Sequence, residues 1–494
     1  MSQTRINIIT AGIVLSIFLA SMEGTVVATA MPSIVAQLGG LSIYSWVFSI
    51  YMLASTTTVP IYGKVSDLFG RKKVYTFAMG LFLIGSVLCG MASSMESLIL
   101  FRAIQGLGAG GVLPMALTVI GELFSMEKRA KMQGLVSSVW GVSSVIGPLI
   151  GGFLVDQISW QWVFYINLIP GTLAIFFVWF AWIDQKRDLS KKVRLDIAGT
   201  ILLTLGVLSL LLGLNELGHP ISIWFILCAI LLLFGLVYVE KRSEDPIIPI
   251  KLFGDRLFVV AILHGILAGW AMFGSLSYIP LFVQGVIGTT ATQAGISLTP
   301  MSLSWTLASI LGGRMVLKMN FRHMALIGMS MLTIGSFLMT TIGNESTQLS
   351  VMFFTSLMGV GMGLTIPVFM IIIQTSVSKS VLGTATSTLQ FSRSMGGTIG
   401  VSILGVFLSS RLTKLLLSSG YDIGSVSLNS IINPTPGSEA SISESLRGAL
   451  AISMAEMFYI AFAVAAIGFI VVFFTPNGKI TQLSQSKSIP IIDN

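Results

Sequence analysis

The sequence predicts an all-α integral membrane protein with about fourteen transmembrane helices, and three observations carry that prediction. Of the 494 residues, 54% are hydrophobic and only 10% charged, which leaves a soluble fold too little polar surface to cover its apolar interior. Apolar stretches of roughly 18 to 25 residues, the length a bilayer core demands of a helix, recur from one end to the other. Lysine and arginine gather in alternate connections between those stretches.

Taken in order, the first apolar run covers residues 8–30. It is long enough to span and lacks a small-residue cleavage pattern, so it is expected to stay as the first helix. Spans at 43–62, 74–92, 97–122, 132–155 and 160–183 complete a six-helix half over residues 1–183. Two more, at 196–215 and 222–240, are joined by the short turn Gly218-His219-Pro220 and flanked by charged loops at 184–194 and 241–256, which makes 184–256 an inserted pair. Six further spans, at 257–283, 293–317, 323–342, 349–374, 383–409 and 448–475, form a second half over 257–475, followed by a tail at 476–494. In lipid each run must close its own backbone hydrogen bonds, so each is read as a helix.

With the N-terminus placed in the cytoplasm, the inner segments hold 22 of the 28 lysines and arginines. Three more, Arg411, Lys414 and Arg447, share one long outer loop, and Arg102, Arg314 and Arg393 fall within spans. The positive-inside rule then puts both termini in the cytoplasm of a cell whose cytoplasmic (inner) membrane holds the protein. The net charge of +8 is explained by that topology and not by nucleic acid, which needs its cations clustered on a water-exposed face. The outer loop, 410–447, is rich in Ser, Gly and Asn and carries Pro434 and Pro436, a composition that builds no core of its own.

The sequence contains no Gly-x-x-x-x-Gly-Lys-Ser/Thr loop for ATP phosphates and no cluster of His or Cys for a metal. Cys89 and Cys228 lie in apolar runs, where a thiol packs as a small hydrophobe. The expectation is a transporter rather than an enzyme, without cofactor or metal, driven by an ion gradient.

Four segments carry polar chemistry. Between the second and third spans lies Gly63-Lys64-Val65-Ser66-Asp67-Leu68-Phe69-Gly70-Arg71-Lys72-Lys73, read as a tight loop with one acid and several bases. The fourth span contains Arg102-Ala103-Ile104-Gln105-Gly106-Leu107-Gly108, where a guanidinium a turn or two inside the outer boundary is costly unless paired, hydrated or snorkelling. The fifth contains Gly147-Pro148-Leu149-Ile150-Gly151-Gly152; proline removes a backbone hydrogen bond there, and Gly147 and Gly151 permit close helix contact. The first contains Glu23 within Met22-Glu23-Gly24-Thr25-Val26-Val27-Ala28-Thr29-Ala30-Met31-Pro32. Glu23 and Arg102 fall at similar depths, so the two are expected to approach across a cavity.

These segments resemble the motifs of the major facilitator superfamily. Gly63, Asp67, Gly70, Arg71 and Lys72 match its signature loop, Gly-x-x-x-Asp-x-x-Gly-Arg-Lys, while Arg102, Gln105, Gly106 and Gly108 match Arg-x-x-Gln-Gly-x-Gly. Gly147, Pro148, Gly151 and Gly152 match the motif of its antiporters, and the first-helix segment resembles Leu-Asp-x-Thr-Ile-Val-Asn-Val-Ala-Leu-Pro of the fourteen-helix drug:proton antiporters, with Glu23 in place of Asp and Ala28 in place of Asn.

The resemblance implies two pseudo-symmetric six-helix halves around a central cavity, with the inserted pair between them. It assigns Glu23 and Arg102 to proton coupling and the 63–73 loop to a gating latch in which Asp67 and Arg71 pair when the protein faces outward. The implied function is proton-coupled export of hydrophobic, cationic drug-like compounds by a monomer, the multidrug-resistance type of efflux; the same fold equally serves a dedicated lipid or metabolite. Arg393, which lies in a Gln390-Phe391-Ser392-Arg393 segment similar to one in the same antiporters, joins Glu456 and His264 as candidate cavity charges. The 25 methionines and 30 phenylalanines offer adaptable linings for hydrophobic substrates.

Overall fold

A computed structural model describes residues 2–39, 43, 46–182, 196–243, 246–248, 250–289, 291–418 and 440–478. The charged loop at 184–194, the Pro434 and Pro436 segment, most of the tail and the side chain of Pro148 lie outside the described residues. Every element assigned among the described residues is helical.

The chain begins with α1 (Gln3–Leu38), α2 (Trp46–Phe69), α3 (Arg71–Gly90), α4 (Met95–Leu123) and α5 (Met126–Gln157). The sixth expected span is two pieces, α6 (Trp162–Tyr165) and α7 (Leu168–Ala181), parted at Ile166 and Asn167. Then come α8 (Ile197–Asn215) and α9 (Ile221–Glu240). The ninth expected span is α10 (Arg256–Gly269), a π turn at Trp270–Gly274 and α11 (Ser275–Gly285), whose wider turn precedes Pro280. The tenth is broken into α12 (Ala291–Ile296) and α13 (Thr299–Met315), and the chain finishes with α14 (Phe321–Met339), α15 (Gln348–Ser376), α16 (Leu382–Ser418) and α17 (Ala440–Phe473).

Two expectations are corrected here. The 63–73 segment is not a loop: α2 runs on to Phe69, and only Gly70, at φ +98°, a value L side chains rarely adopt, separates it from α3. The outer loop is shorter than expected, because Arg411 and Lys414 extend α16 and Arg447 lies in α17. Among the described residues, twelve helices are long and apolar enough to cross a membrane. The remaining pair, α2 and α5, are 24 and 32 residues long.

The first seven helices pack chiefly on one another, α4 lying between α2 and α3, and α1 against α5 and α7. In the second set α13 and α14 flank α15, while α16 packs on α10 and α17. The two sets meet along α5 with α13 and along α2 with α16. The inserted pair sits beside that seam, where Leu203, Val207, Leu211 and Leu236 share an apolar cluster with Leu53 of α2 and Met395 of α16. Lipid-facing side chains are apolar as the solvent demands: Trp224, Leu231 and Phe234 of α9 are each more than 70% exposed. The end of the bundle that bears the α2–α3 and α4–α5 connections is called the basic end below.

Candidate functional site

Glu23 lies in α1 within an apolar shell that includes Met22, Val26, Leu98 and Phe164. A carboxylate cannot remain there unpaired, and its partners come from α4 and from the break between α6 and α7. Arg102 Nη1 of α4 stands 2.5 Å from Glu23 Oε1, and Gln105 Nε2, one turn on, donates to the same oxygen at 2.9 Å. Asn167 Nδ2, at the break between α6 and α7, donates to Oε2 at 2.8 Å. Ser86 Oγ of α3 ties the amides together, accepting from Gln105 at 2.9 Å and from Asn167 at 3.3 Å. Glu23 and Arg102 are 2% and 1% exposed, so they meet directly and not across the expected cavity.

Arg102 has neutral partners besides Glu23. Its Nε donates to the Val47 carbonyl at 3.2 Å, Nη1 donates to Gln105 Oε1 at 2.6 Å, and the guanidinium lies 4.0 Å from the centre of the Tyr51 ring. A cation over an aromatic face with two such acceptors retains much of its stabilisation when a neighbouring carboxylate loses its charge.

A second polar cluster fastens the basic end. Arg71 Nη2 pairs with Asp67 Oδ1 at 2.6 Å, Nε with Glu122 Oε2 at 3.1 Å, and Nη1 donates to the Ser66 carbonyl at 2.7 Å. Asp67 also reaches across the seam: Oδ1 accepts the Gly383 N–H at 3.0 Å, and Oδ2 accepts both the N–H and the hydroxyl of Thr384 at 2.6 Å. Those N–H groups belong to the first turn of α16, where backbone donors lack intrahelical partners and the helix dipole favours an anion. Lys72 donates to the Trp182 carbonyl at 3.3 Å and lies over the Trp179 ring, pinning α3 to α7. Nearby, Gln374 of α15 donates to the Leu117 carbonyl and its own carbonyl accepts from Arg129, a further tie between the two sets.

The glycine motifs are places of close approach. A Cβ on Gly106 would lie 2.7 Å from the Tyr51 carbonyl on α2, and one on Gly108 would lie 2.7 Å from the Ala78 carbonyl on α3. Opposite faces of α4 thus admit its two neighbours. Gly63 admits α16 in the same way, its absent Cβ taken up by Ser387. In α5, Gly147 faces Thr25 of α1 and Gly151 is buried, but a Cβ on Gly152 would meet nothing within 4 Å. Close contact in that motif is thus seen at Gly147.

The three other candidates lie elsewhere. Glu456 pairs with Arg411 of α16 through both its oxygens, about a third exposed, away from the Glu23 cluster. Arg393 and His264 face each other across a small cavity between α10, α15 and α16. Asn167, Ser86, Glu122 and Thr384 were not anticipated from sequence. Asn167 alone left a signal, an amide inside the apolar run Tyr165-Ile166-Asn167-Leu168-Ile169.

Stacked membrane-length helices in two sets, tied together at one end by a charged cluster and holding a buried acid in one set, define a polytopic membrane protein. The sequence pattern of the Major Facilitator Superfamily matches residues 13–401, and the chain belongs to that family. It is 40% identical to the multidrug transporter protein MdtP of Bacillus subtilis (strain 168) over 420 residues, 84% of this chain and 77% of the relative. Multidrug resistance protein 3 of the same organism is 38% identical over 84% of this chain and 82% of its own length. Among solved structures, the proton:xylose symporter XylE bound to 6-bromo-6-deoxy-D-glucose superposes with a TM-score of 0.64 at 13% identity, covering 97% of this chain and 98% of that one. The human organic anion transporter MFSD10 (TETRAN) gives 0.63 at 13% identity over 93% and 99%. Both share the fold.

Proposed function

We propose that this chain is a proton-coupled antiporter that exports hydrophobic drug-like compounds across the cytoplasmic membrane. It acts as a monomer, without cofactor, with both termini in the cytoplasm and with fourteen spans once α2 and α5 are counted. The multidrug relatives support the substrate class. The observation that carries the proton coupling is the Glu23 cluster, an ionisable carboxyl enclosed by Arg102, Gln105 and Asn167 in which the arginine has other acceptors to fall back on. Proton entry at Glu23 releases its hold on Arg102 and Asn167, loosening α1 from α4 and α7. Rocking of the two helix sets about the α2–α16 and α5–α13 contacts then alternates access, and the latch at Asp67 holds the basic end shut in the outward-facing state. One elementary charge crossing roughly 100 mV supplies about 2.3 kcal/mol, to which the pH gradient adds. Hydrophobic cations are one class that such exchange serves.

Ethidium uptake into inverted membrane vesicles with an acidified lumen tests the reading. Uptake abolished by an uncoupler and by Glu23→Gln supports it. Full proton-coupled uptake in Glu23→Gln sinks the assignment of the proton site, and no uptake by the parent protein favours a dedicated lipid or metabolite as cargo.

A further inference from the structure

Among the described residues the fully buried arginines are paired with carboxylates, whereas the part-buried Arg129 at the basic end, which donates to the Phe124 and Gln374 carbonyls, and the part-buried Arg393 are not. Arg102 has Glu23, Arg71 has Asp67 and Glu122, and Arg411 has Glu456. Arg393, half-buried in the middle of α16, donates through Nη2 to Gln390 Oε1 at 2.5 Å and is paired with no described carboxylate. An uncompensated guanidinium inside a membrane bundle is costly unless something anionic or aqueous reaches it.

A second side chain points the same way. His264 of α10 is 3% exposed, its ring stacked on Phe369 with centroids 4.4 Å apart, and its Nε2 has no hydrogen-bond partner. Arg393, Gln390 and His264 line one cavity of about 20 Å³, with Met362, Ile366 and Phe369 among its apolar walls. That space holds about one water or one small polar group and excludes a whole drug molecule.

We propose that this cavity is an anion subsite that receives the carboxylate of an amphiphilic substrate. Arg393 supplies the charge and a planar fork that matches a carboxylate. His264, as the neutral tautomer with its hydrogen on Nε2, supplies a further donor, and Gln390 holds the guanidinium in place. The subsite rests on the export reading above and narrows it: carboxylate-bearing or zwitterionic amphiphiles are preferred over neutral ones of the same shape. A small inorganic anion such as chloride shares the chemistry, and the apolar walls favour the substrate's own carboxylate.

The test uses the full-length protein in lipid nanodiscs, with binding read by fluorescence. Pyrenebutyrate is compared with its uncharged alcohol, pyrenebutanol, in chloride and in gluconate buffers. The expected result is about tenfold tighter binding of the carboxylate by the parent protein, lost in Arg393→Gln, partly kept in Arg393→Lys and reduced in His264→Leu. An unchanged preference in Arg393→Gln overturns the proposal, as does chloride-dependent thermal stabilisation through Arg393 without any preference for the carboxylate. Monodisperse elution and parent-like thermal unfolding of Arg393→Gln establish that it folds. Ethidium uptake into vesicles is measured in parallel: loss of uptake in the parent strikes the export reading alone, because the binding preference is judged independently of transport.

Discussion

Asp67 closes the start of α16: one of its oxygens lies 2.6 Å from both the backbone nitrogen and the hydroxyl of Thr384, while the other pairs with Arg71. One carboxylate therefore serves as an ion-pair partner within its own helix set and as a cap for a helix of the other. This acid thus fastens the two helix sets together, with Thr384 as a partner in one and Arg71 in the other.

Breaking that fastener should open the basic end. In a background with Cys89→Ala and Cys228→Ala, Thr386→Cys places a thiol at a fully buried position on α16. Adding Asp67→Asn should raise its labelling by a membrane-permeant maleimide several-fold and slow transport at least about tenfold, since one charged bond is worth roughly 1.5–3 kcal/mol. Thr384→Ala should shift labelling the same way by less, because the backbone N–H remains. Unchanged labelling in both would mean that the latch does not govern access.

Much of this was legible in the sequence, for identifiable reasons. Apolar runs report helices directly because lipid leaves the backbone no alternative, and Asp67, Arg71 and Arg102 stood out because charge near or within a span is conspicuous. The helix ends were less legible. Arg411 and Lys414 read as loop because they are cationic, yet they extend α16, where Arg411 finds Glu456. The partners of Glu23 were the least legible. Ser86 and Asn167 are uncharged and lie 81 residues apart, and only the tertiary fold sets both beside Gln105 and Glu23.

The Glu23 cluster predicts an asymmetric response to mutation. Glu23→Ala leaves Arg102 buried without its counter-charge and should cost about 3–5 kcal/mol, the usual result of removing one member of a buried pair. Glu23→Gln retains an acceptor for Arg102 and should be milder. Asn167→Ala should fall at roughly 1.5–3 kcal/mol, one hydrogen bond to a charged group. Thermal unfolding of the purified protein in detergent orders the three, and an Ala variant as stable as the parent would show that the pair contributes nothing to the fold.

The solvent-accessible pair Arg411–Glu456 should behave differently. Both side chains are about a third exposed and neither touches the Glu23 cluster. Glu456→Gln is therefore expected to leave ethidium uptake within about twofold of the parent, since exposed ion pairs contribute little. A loss comparable to that of Glu23→Gln would move Glu456 into the transport pathway.

The glycines supply a last contrast, between positions that sequence motifs treat alike. Gly152→Ala adds a methyl that meets nothing within 4 Å and replaces the residue with the greater entropic cost in a helix, so the variant should match the parent or gain up to about 1 kcal/mol. Gly108→Ala drives the same methyl to 2.7 Å from the Ala78 carbonyl and closer still to the backbone of Phe82, atoms that cannot rotate aside. The α3–α4 contact must then separate, which weakens the placement of Gln105, one turn away, and of Arg102, nearly two, and with it the hold on Glu23. The expected outcome is a lower unfolding temperature and impaired uptake for Gly108→Ala, with both retained in Gly152→Ala. Equal behaviour of the two would mean that α4 is not held by close packing at Gly108.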